Sequence, residues 1–402
     1  DGTIKFAKDV KIGDLLMGDD NGPRKVLKLV HGNEELFEVT PNRGEPFTVT
    51  GDHQLTLKRR TKLRKINGVS RRDPGHGAVI DITVNDFQKK SKTFKNEHML
   101  FRVPVDWPEQ GVPLDPYFLG LWLGDGNSNH PTITTMDKEV VDYIKMFSDE
   151  NGLFVSEKEK RGSKASTYSL VTAAGKKNTL LDKMREIGVI DNKRIPHVYK
   201  ANSREIRMQI LAGILDADGY RNGNSFEIIL KREHLAEDVA FIARSLGYHA
   251  CVKKVSKGIK STGFVGEYFR VGISGDCSQI PVRVERRKCE KRSDWKDVLV
   301  SNIKEIRSVG NKDYVGFMVD GNNRFLLGDF TVTHNSLIAC LIQLWKFFCF
   351  ARQQIMLGAN SKDQVKFVHY DIMKDIILNS PNLVKVLGKK NIQEKEIRLL
   401  DS

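Results

Sequence analysis

Over the first 57 residues, apolar and polar positions alternate in short spans broken by turn-formers. Ile4-Lys5-Phe6, Leu15-Leu16-Met17, Arg24-Lys25-Val26-Leu27-Lys28-Leu29-Val30, Leu36-Phe37-Glu38-Val39-Thr40 and Phe47-Thr48-Val49-Thr50 read as strands. Gly13-Asp14, Asp20-Asn21-Gly22-Pro23 and His31-Gly32-Asn33 read as the turns between them. The spacing predicts a compact all-β unit. After Val112-Pro113 the pattern becomes helical. Asp115 caps a helix with Pro116 in its first turn and Gly126 at its end. Asn202 with Glu205 fits a capping box ahead of the apolar run 206–215. From about Asp294 the chain reads β again, through 298–306, 314–319, Phe325-Leu326-Leu327 and Phe330-Thr331-Val332-Thr333. Beyond Asn335 come an apolar helix (337–350), a strand (354–357) and an amphipathic helix (362–378), a piece of an α/β domain.

The most informative pattern is a repeat. Phe118-Leu119-Gly120-Leu121-Trp122-Leu123-Gly124-Asp125-Gly126 recurs as Leu211-Ala212-Gly213-Ile214-Leu215-Asp216-Ala217-Asp218-Gly219, with Asp125 and Asp218 93 residues apart. The echo continues downstream. In the first copy a strand at 132–135, a helix at 138–147 and Asn151-Gly152-Leu153 follow; in the second, a strand at 226–230, a helix at 235–246 and Gly247-Tyr248 follow. This predicts a duplicated α+β half-domain.

Composition narrows the class. The 402 residues carry 65 Lys and Arg against 51 Asp and Glu, a formal charge of +14. That balance favours a polyanionic partner. The excess is local: 58–102 holds thirteen basic residues and four acids. Its densest part includes Lys58, Arg59, Arg60, Lys62, Arg64 and Lys65, with Arg71 and Arg72 beyond. Such a run reads as a phosphate-binding arm or as a solvated loop. Five cysteines without a CxxC pair argue against a zinc ribbon or a secreted disulfide framework, and no signal-peptide pattern opens the chain. A reducing, cytoplasmic setting is expected, and the longest apolar run is too short for a membrane span.

Each repeat ends an apolar helix with an acid before glycine, at the negative end of the helix dipole. If the two helices pack through Gly120, Ala212 and Gly213, Asp125 and Asp218 meet at one end. Two adjacent carboxylates repel unless one is protonated or a cation joins them, and a divalent metal with oxygen ligands answers that need. Residues 211–219 resemble the signature of LAGLIDADG (DOD-type) homing endonucleases, and 118–126 resemble a divergent first copy. The resemblance implies a monomer of two pseudo-symmetric halves that cuts double-stranded DNA with Mg²⁺. It makes Asp125 and Asp218 catalytic metal-binding acids. It also implies a basic residue near the centre, for which Lys231 is the candidate; Met136 and Asp137 stand near the equivalent place in the first copy.

The flanking β segments are similar to the two parts of an intein splicing (Hint) domain. Thr50-Gly51-Asp52-His53 resembles the intein TxxH block, and Phe330-Thr331-Val332-Thr333-His334-Asn335-Ser336 resembles the downstream splice end. The chemistry suits these types. Asn335 can attack its own carbonyl and cut the backbone as a succinimide, His334 can polarise that peptide, and Ser336 supplies a hydroxyl for transesterification. His53 can protonate the leaving nitrogen upstream, with Thr50 orienting the site. Inteins begin with a nucleophile, usually Cys, one strand upstream of a segment like Asp1-Gly2-Thr3-Ile4. This chain alone is therefore expected to perform at most the Asn335 step. Asn323 stands where the family often has His, and Gly316 where some members have Asp.

Residues 336–402 read as the interrupted host. Ser336-Leu337-Ile338-Ala339 would open the helix after a Walker A loop, with Ser336 on the Mg²⁺ of bound ATP, and the missing GxxxxGK is expected upstream. Gly358-Ala359-Asn360-Ser361-Lys362-Asp363-Gln364-Val365 resembles part of phage large terminase ATPases. The expected architecture is mixed: an all-β Hint domain (1–57 and 291–335) split by a basic arm (58–112) and an α+β endonuclease (113–290), then an α/β P-loop NTPase fragment (336–402). Splicing needs no cofactor, its partners are the flanking host segments, and no membrane is involved. A DNA-binding module with a decayed nuclease, and a host fragment with an inert insertion, are the alternatives.

Overall fold

A computed structural model describes residues 1–61, 64–66, 69–71, 75–159, 162–259, 264–291, 297–334, 348, 371–378, 380–388 and 391. They fall into two compact units: Asp1–Thr3 with Arg102–Val300, and Ile4–Phe101 with Ser301–Ser402. The fold is mixed α/β with several antiparallel sheets.

The chain enters through β1 (Leu15–Met17), β2 (Pro23–Pro41), β3 (Phe47–Thr50) and β4 (Gln54–Arg59). β5 (Arg64–Ile66) and β6 (Val69–Arg71) pair as a short hairpin. Then follow β7 (Val79–Thr83), α1 (Val84–Lys89), α2 (Lys92–Glu97) and β8 (His98–Phe101). Thr83 and Ser91 cap the two helices by accepting from Asp86 N and Phe94 N. β4 is central, paired with β7 on one edge and β8 on the other. The basic stretch therefore begins inside a sheet. Lys58, Arg59 and Arg60 are half-buried. Lys58 Nζ lies 6.0 Å from the Phe101 ring centre, and Arg59 pairs with Glu97 at 3.4 Å.

The other unit opens with α3 (Pro116–Asp125), followed by β9 (Thr132–Thr135), α4 (Lys138–Glu150), β10 (Phe154–Glu159) and β11 (Ser166–Val171). Next come α5 (Thr179–Glu186), α6 (His197–Lys200), α7 (Arg204–Asp218), β12 (Tyr220–Asn222), β13 (Ser225–Leu230), α8 (Glu233–Ser245), β14 (His249–Ile259) and β15 (Phe264–Ser274). Strands β10-β11-β9 form one antiparallel sheet and β12-β13-β15-β14 another. α3 is apolar nearly all round, and residues 117–123 are buried, as expected of a central helix. Asp115 caps it, accepting from Phe118 N at 2.8 Å. The cap of α7 is Ser203 rather than Asn202. Asn202 is fully buried and spends its amide on Gln110 N, Gln110 O and Val198 O.

The chain returns through β16 (Val300–Ser301), β17 (Ile303–Val319), β18 (Arg324–Leu326) and β19 (Val332–His334). Helices α9 (Asp371–Leu378) and α10 (Pro381–Leu387) follow. β2 and β17 are single long partners where four shorter strands are expected from the sequence. The His31-Gly32-Asn33 turn does not form. Gly32 faces Tyr314 across the ladder, and a Cβ on Gly32 would strike the Tyr314 ring at 2.6 Å. Here the glycine admits an aromatic neighbour rather than turning the chain. Val39, Leu55, Leu57, Val84, Phe87 and Leu100 form the core of this unit. Among the described residues no helix is long and apolar enough to cross a membrane.

Candidate functional site

Two groupings of chemistry-bearing residues emerge, one in each unit. The first lies where α3 and α7 end. A Cβ on Gly120 would strike the Ile210 carbonyl, one on Gly213 the Tyr117 carbonyl, and one on Gly124 the Ala217 Cβ. Only side-chain-free positions permit this approach, and it brings the two helix ends together. Asp125 and Asp218 lie close enough there to shift one another's protonation. Desolvation raises both above the usual carboxylate range, and Asp218's charge pushes Asp125 further up. Asp218 still has an exposed edge. For Asp218 the interaction with Asp125 works the other way and lowers it.

Asp216, two residues earlier, has a different occupation. It is buried and accepts from Tyr117 Oη at 2.7 Å, Val284 N at 3.2 Å and Arg283 N. It pins the 283–284 segment to the helix.

Lys231, the basic residue expected at the centre, is exposed just past the end of β13. The buried lysine beside the carboxyls is Lys193. Its Nζ donates to Leu123 O, Gly124 O and Gly126 O at 3.1, 3.2 and 2.7 Å, and lies 5.1 Å from the Trp122 ring centre. Burial lowers its pKa to about 8, against the pull of Asp218 and Asp125. Arg287 mirrors it on α7, donating to Leu215 O at 2.9 Å and Ala217 O at 2.8 Å. Each cation thus satisfies the carbonyls and the negative dipole of one helix end. Lys193 lies 68 residues after Asp125, and Arg287 lies 69 after Asp218. That matched offset is the sequence signal that would have found them.

Among the described residues no group of three or more His, Cys, Asp or Glu is placed to hold a metal. The carboxyl pair nevertheless fits the protein's share of a Mg²⁺ shell, since that ion usually keeps waters and takes phosphate oxygens besides one or two carboxylates.

The second grouping spans β4 and β19. His53 Nε2 lies 2.7 Å from Thr333 Oγ1, and His53 N donates to Thr50 O at 3.2 Å. Burial, then the charge of His334, lowers the His53 pKa to about 4. His334 is 3% exposed and also lowered, by burial first. Asn335 and Ser336 lie outside the described residues, as do Lys62 and Arg72. Arg64, Lys65 and Arg71 are described only as backbone of the β5–β6 hairpin. Asn323 occupies a left-handed turn at φ 59°, and Gly316 pairs with Val30 within the β2–β17 ladder.

Residues 1–97 match the family model described as homing-endonuclease-associated Hint, and residues 194–277 match the one described as homing endonuclease. The first segment is thus similar to homing-endonuclease-associated Hint domains and the second to homing endonucleases. Among curated relatives, the chain is 27% identical over 252 residues to a replicative DNA helicase DnaB of Mycobacterium intracellulare. That match covers 60% of this chain and 39% of the relative. It is 22% identical over 468 residues to the catalytic chain of a V-type proton ATPase from Candida tropicalis, covering 83% and 42%. The chain thus spans about two fifths of the length of these relatives. A structure of I-DmoI in complex with DNA and Ca overlaps at 15% identity and a TM-score of 0.30, covering 40% of this chain and 83% of that one.

Proposed function

We propose that the chain is an intein that excises itself from a host protein and carries its own site-specific double-strand DNA endonuclease. The observation that carries the nuclease half is the carboxyl pair of Asp125 and Asp218, brought together at the ends of two closely packed helices. In this proposal both residues hold Mg²⁺. Once bound, the ion supplies a water of lowered pKa and steadies the phosphoryl leaving group. Asp125 and Asp218 would hold the ion as carboxylates, which would relieve their mutual repulsion. Lys193 and Arg287 anchor the two helix ends and keep positive charge beside the carboxyls. Double-stranded DNA is the partner, the enzyme acts as a monomer, and the basic stretch with Lys58, Arg59, Arg60, Lys62, Arg64, Lys65, Arg71 and Arg72 adds phosphate contacts.

In the splicing half, His53 protonates the upstream leaving nitrogen, with Thr50 and Thr333 fixing its place. His334 polarises the peptide after Asn335. Asn335 cyclises, and Ser336 is the downstream nucleophile and first host residue. The host is a terminase-like ATPase, a proposal resting on the residues after Asn335. Splicing is assigned to residues 4–101 and 301–335 and the nuclease to 102–300, wider on the upstream side than the sequence suggests, because β7 and β8 share the sheet of β4.

A supercoiled plasmid bearing the uninterrupted host gene, incubated with Mg²⁺, should be linearised. Asp125→Asn or Asp218→Asn should cut at least ~10³-fold more slowly, about what a preorganised charge-stabilising group supplies. A parent chain that binds the plasmid without cutting it would point to the decayed nuclease.

A further inference from the structure

The two buried cations have a second set of contacts, away from the helix ends, and these cross between the halves of the repeat. Lys193 sits in a strap, residues 189–196, that follows α5 in the first half. Its side chain caps α3 of the same half. The strap's backbone is held by the second half instead. His234 Nε2 donates to Lys193 O at 3.0 Å, and Ile195 N donates to Asp238 Oδ2 at 2.9 Å. Both holders belong to α8. Asp238 is fixed in turn by the Lys200 ammonium. Arg287 sits in the matching strap of the second half, residues 282–288, and caps α7. This strap is held by the first half. Glu285 N donates to Glu139 Oε1 at 3.1 Å, and Arg286 forks onto the Asp137 carboxylate at 2.7, 3.0 and 3.1 Å. The Arg283 guanidinium lies 4.6 Å from the ring centres of Tyr117 and Tyr143.

The crossing follows the two-fold repeat. Glu139 and His234 are each the second residue of a 13-residue helix, α4 or α8. They stand 95 residues apart, Lys193 and Arg287 stand 94 apart, and Asp125 and Asp218 stand 93 apart. The chemistry at the equivalent positions differs. A carboxylate accepts from a strap N–H in one case, and an imidazole donates to a strap carbonyl in the other. What recurs is the crossing, not the residue. A hold within one half would fix each cation relative to its own helix alone. A crossed hold fixes it relative to the other half as well, so the two helix ends are registered to each other. Forked and charge-assisted hydrogen bonds suit this task, because they set direction as well as distance.

We infer that His234 and Asp238 on one side, and Asp137 and Glu139 with Arg286 on the other, are positioning residues that cross-brace the two cleavage centres, each half setting the cation of the other. They act on the reaction through Lys193 and Arg287, not at the reacting atoms. The inference rests on Asp125 and Asp218 being the nuclease carboxylates. The two strands of a duplex are related by two-fold symmetry, and a two-fold protein meets them alike. Each helix end, with its cation, therefore serves one strand. A cation displaced by a loosened brace no longer neutralises its helix end and no longer stands beside the carboxyls. The strand it serves is then cut more slowly than the other. Loss of one brace turns a double-strand cutter towards a nicking enzyme.

The test uses the full 402-residue chain and two measurements. With supercoiled plasmid and Mg²⁺, Arg286→Met and His234→Ala should each slow one of the two cuts about 10- to 100-fold, the usual cost of losing a group that orients another. Nicked circle should build up ahead of linear product, and end-labelled DNA should show that the two variants spare opposite strands. Arg286→Lys and His234→Gln, which keep a donor, should recover most of the slowed cut. Independently, acylation of Lys193 by an amine-reactive ester, read by peptide mass, should be slow in the parent and faster in His234→Ala. Equal slowing of both strands, or parent-like cutting by both variants, would overturn the braces, as would parent-like labelling of Lys193 in His234→Ala. A parent chain that cuts nothing would strike at the carboxyl pair as a nuclease centre, while the labelling still decides the brace on Lys193.

Discussion

Asp216 and Asp218 sit two residues apart on α7 and have unlike surroundings. Asp216 faces inward, takes three hydrogen bonds and holds the 283–284 segment. Asp218, at the last position of the helix, meets a second carboxyl instead. Position on the helix, not residue type, separates an anchoring acid from a candidate ligand. His53 shows the same dependence on surroundings. Its pKa is about 4 against an ordinary 6.5. Between those values the unfolded chain binds the proton and the folded one does not. Stability therefore rises with pH across that window and is lost as pH falls from 6.5 towards 4. His334 contributes with the same sign. Protection factors at the amides of β4 and β19 should fall as pH drops through that range, and His53→Gln should flatten the response. An unchanged pH response in His53→Gln would show that His53 is not the group responsible.

Among the elements, the α3–α7 pair depends on its glycines. Gly213→Ala sets a methyl against the Tyr117 carbonyl, where no flexible side chain can yield. The helices must part, at a cost of about 1–3 kcal/mol or more. We expect a lower denaturation midpoint and, because the carboxyls separate, slower DNA cleavage at saturating Mg²⁺. Midpoint and rate both at parent values would mean that the close approach matters to neither. Local patterns served well for these helices. Asp115 caps α3, and β9, α4, β13 and α8 lie within a few residues of where periodicity puts them. They served less well where a partner strand decides. Gly32 reads as a turn by itself, and only Tyr314, far along the chain, turns it into a strand position.

At the scale of the whole molecule, two compact units share one chain. Sites that share no partner residues contribute additively, and each site here is built within its own unit. Asp125→Asn should therefore leave release at 335–336 within about 2-fold of the parent, and His334→Ala should do the same for plasmid cleavage. A variant that lost both activities while remaining folded would show coupling between them. The +14 charge belongs to this scale too, as does the steep salt dependence expected of DNA binding.

The repeat was legible in the sequence because it is a matter of spacing. Two apolar runs ending in Asp-Gly place Asp125 and Asp218 at equivalent helix ends whatever surrounds them. The β blocks were legible through alternation, and His53 and His334 through short motifs. Which cation stands by the carboxyls was not. Lys231 was the nearer choice along the chain, but the lysine there is Lys193, 68 residues beyond Asp125. The crossed straps were equally hidden, since Glu139 and Glu285 lie 146 residues apart and meet only through packing. Local periodicity determines which backbone a segment can adopt. Long-range packing alone decides which side chains share a face, because that depends on the pairing partner and not on the neighbours in sequence.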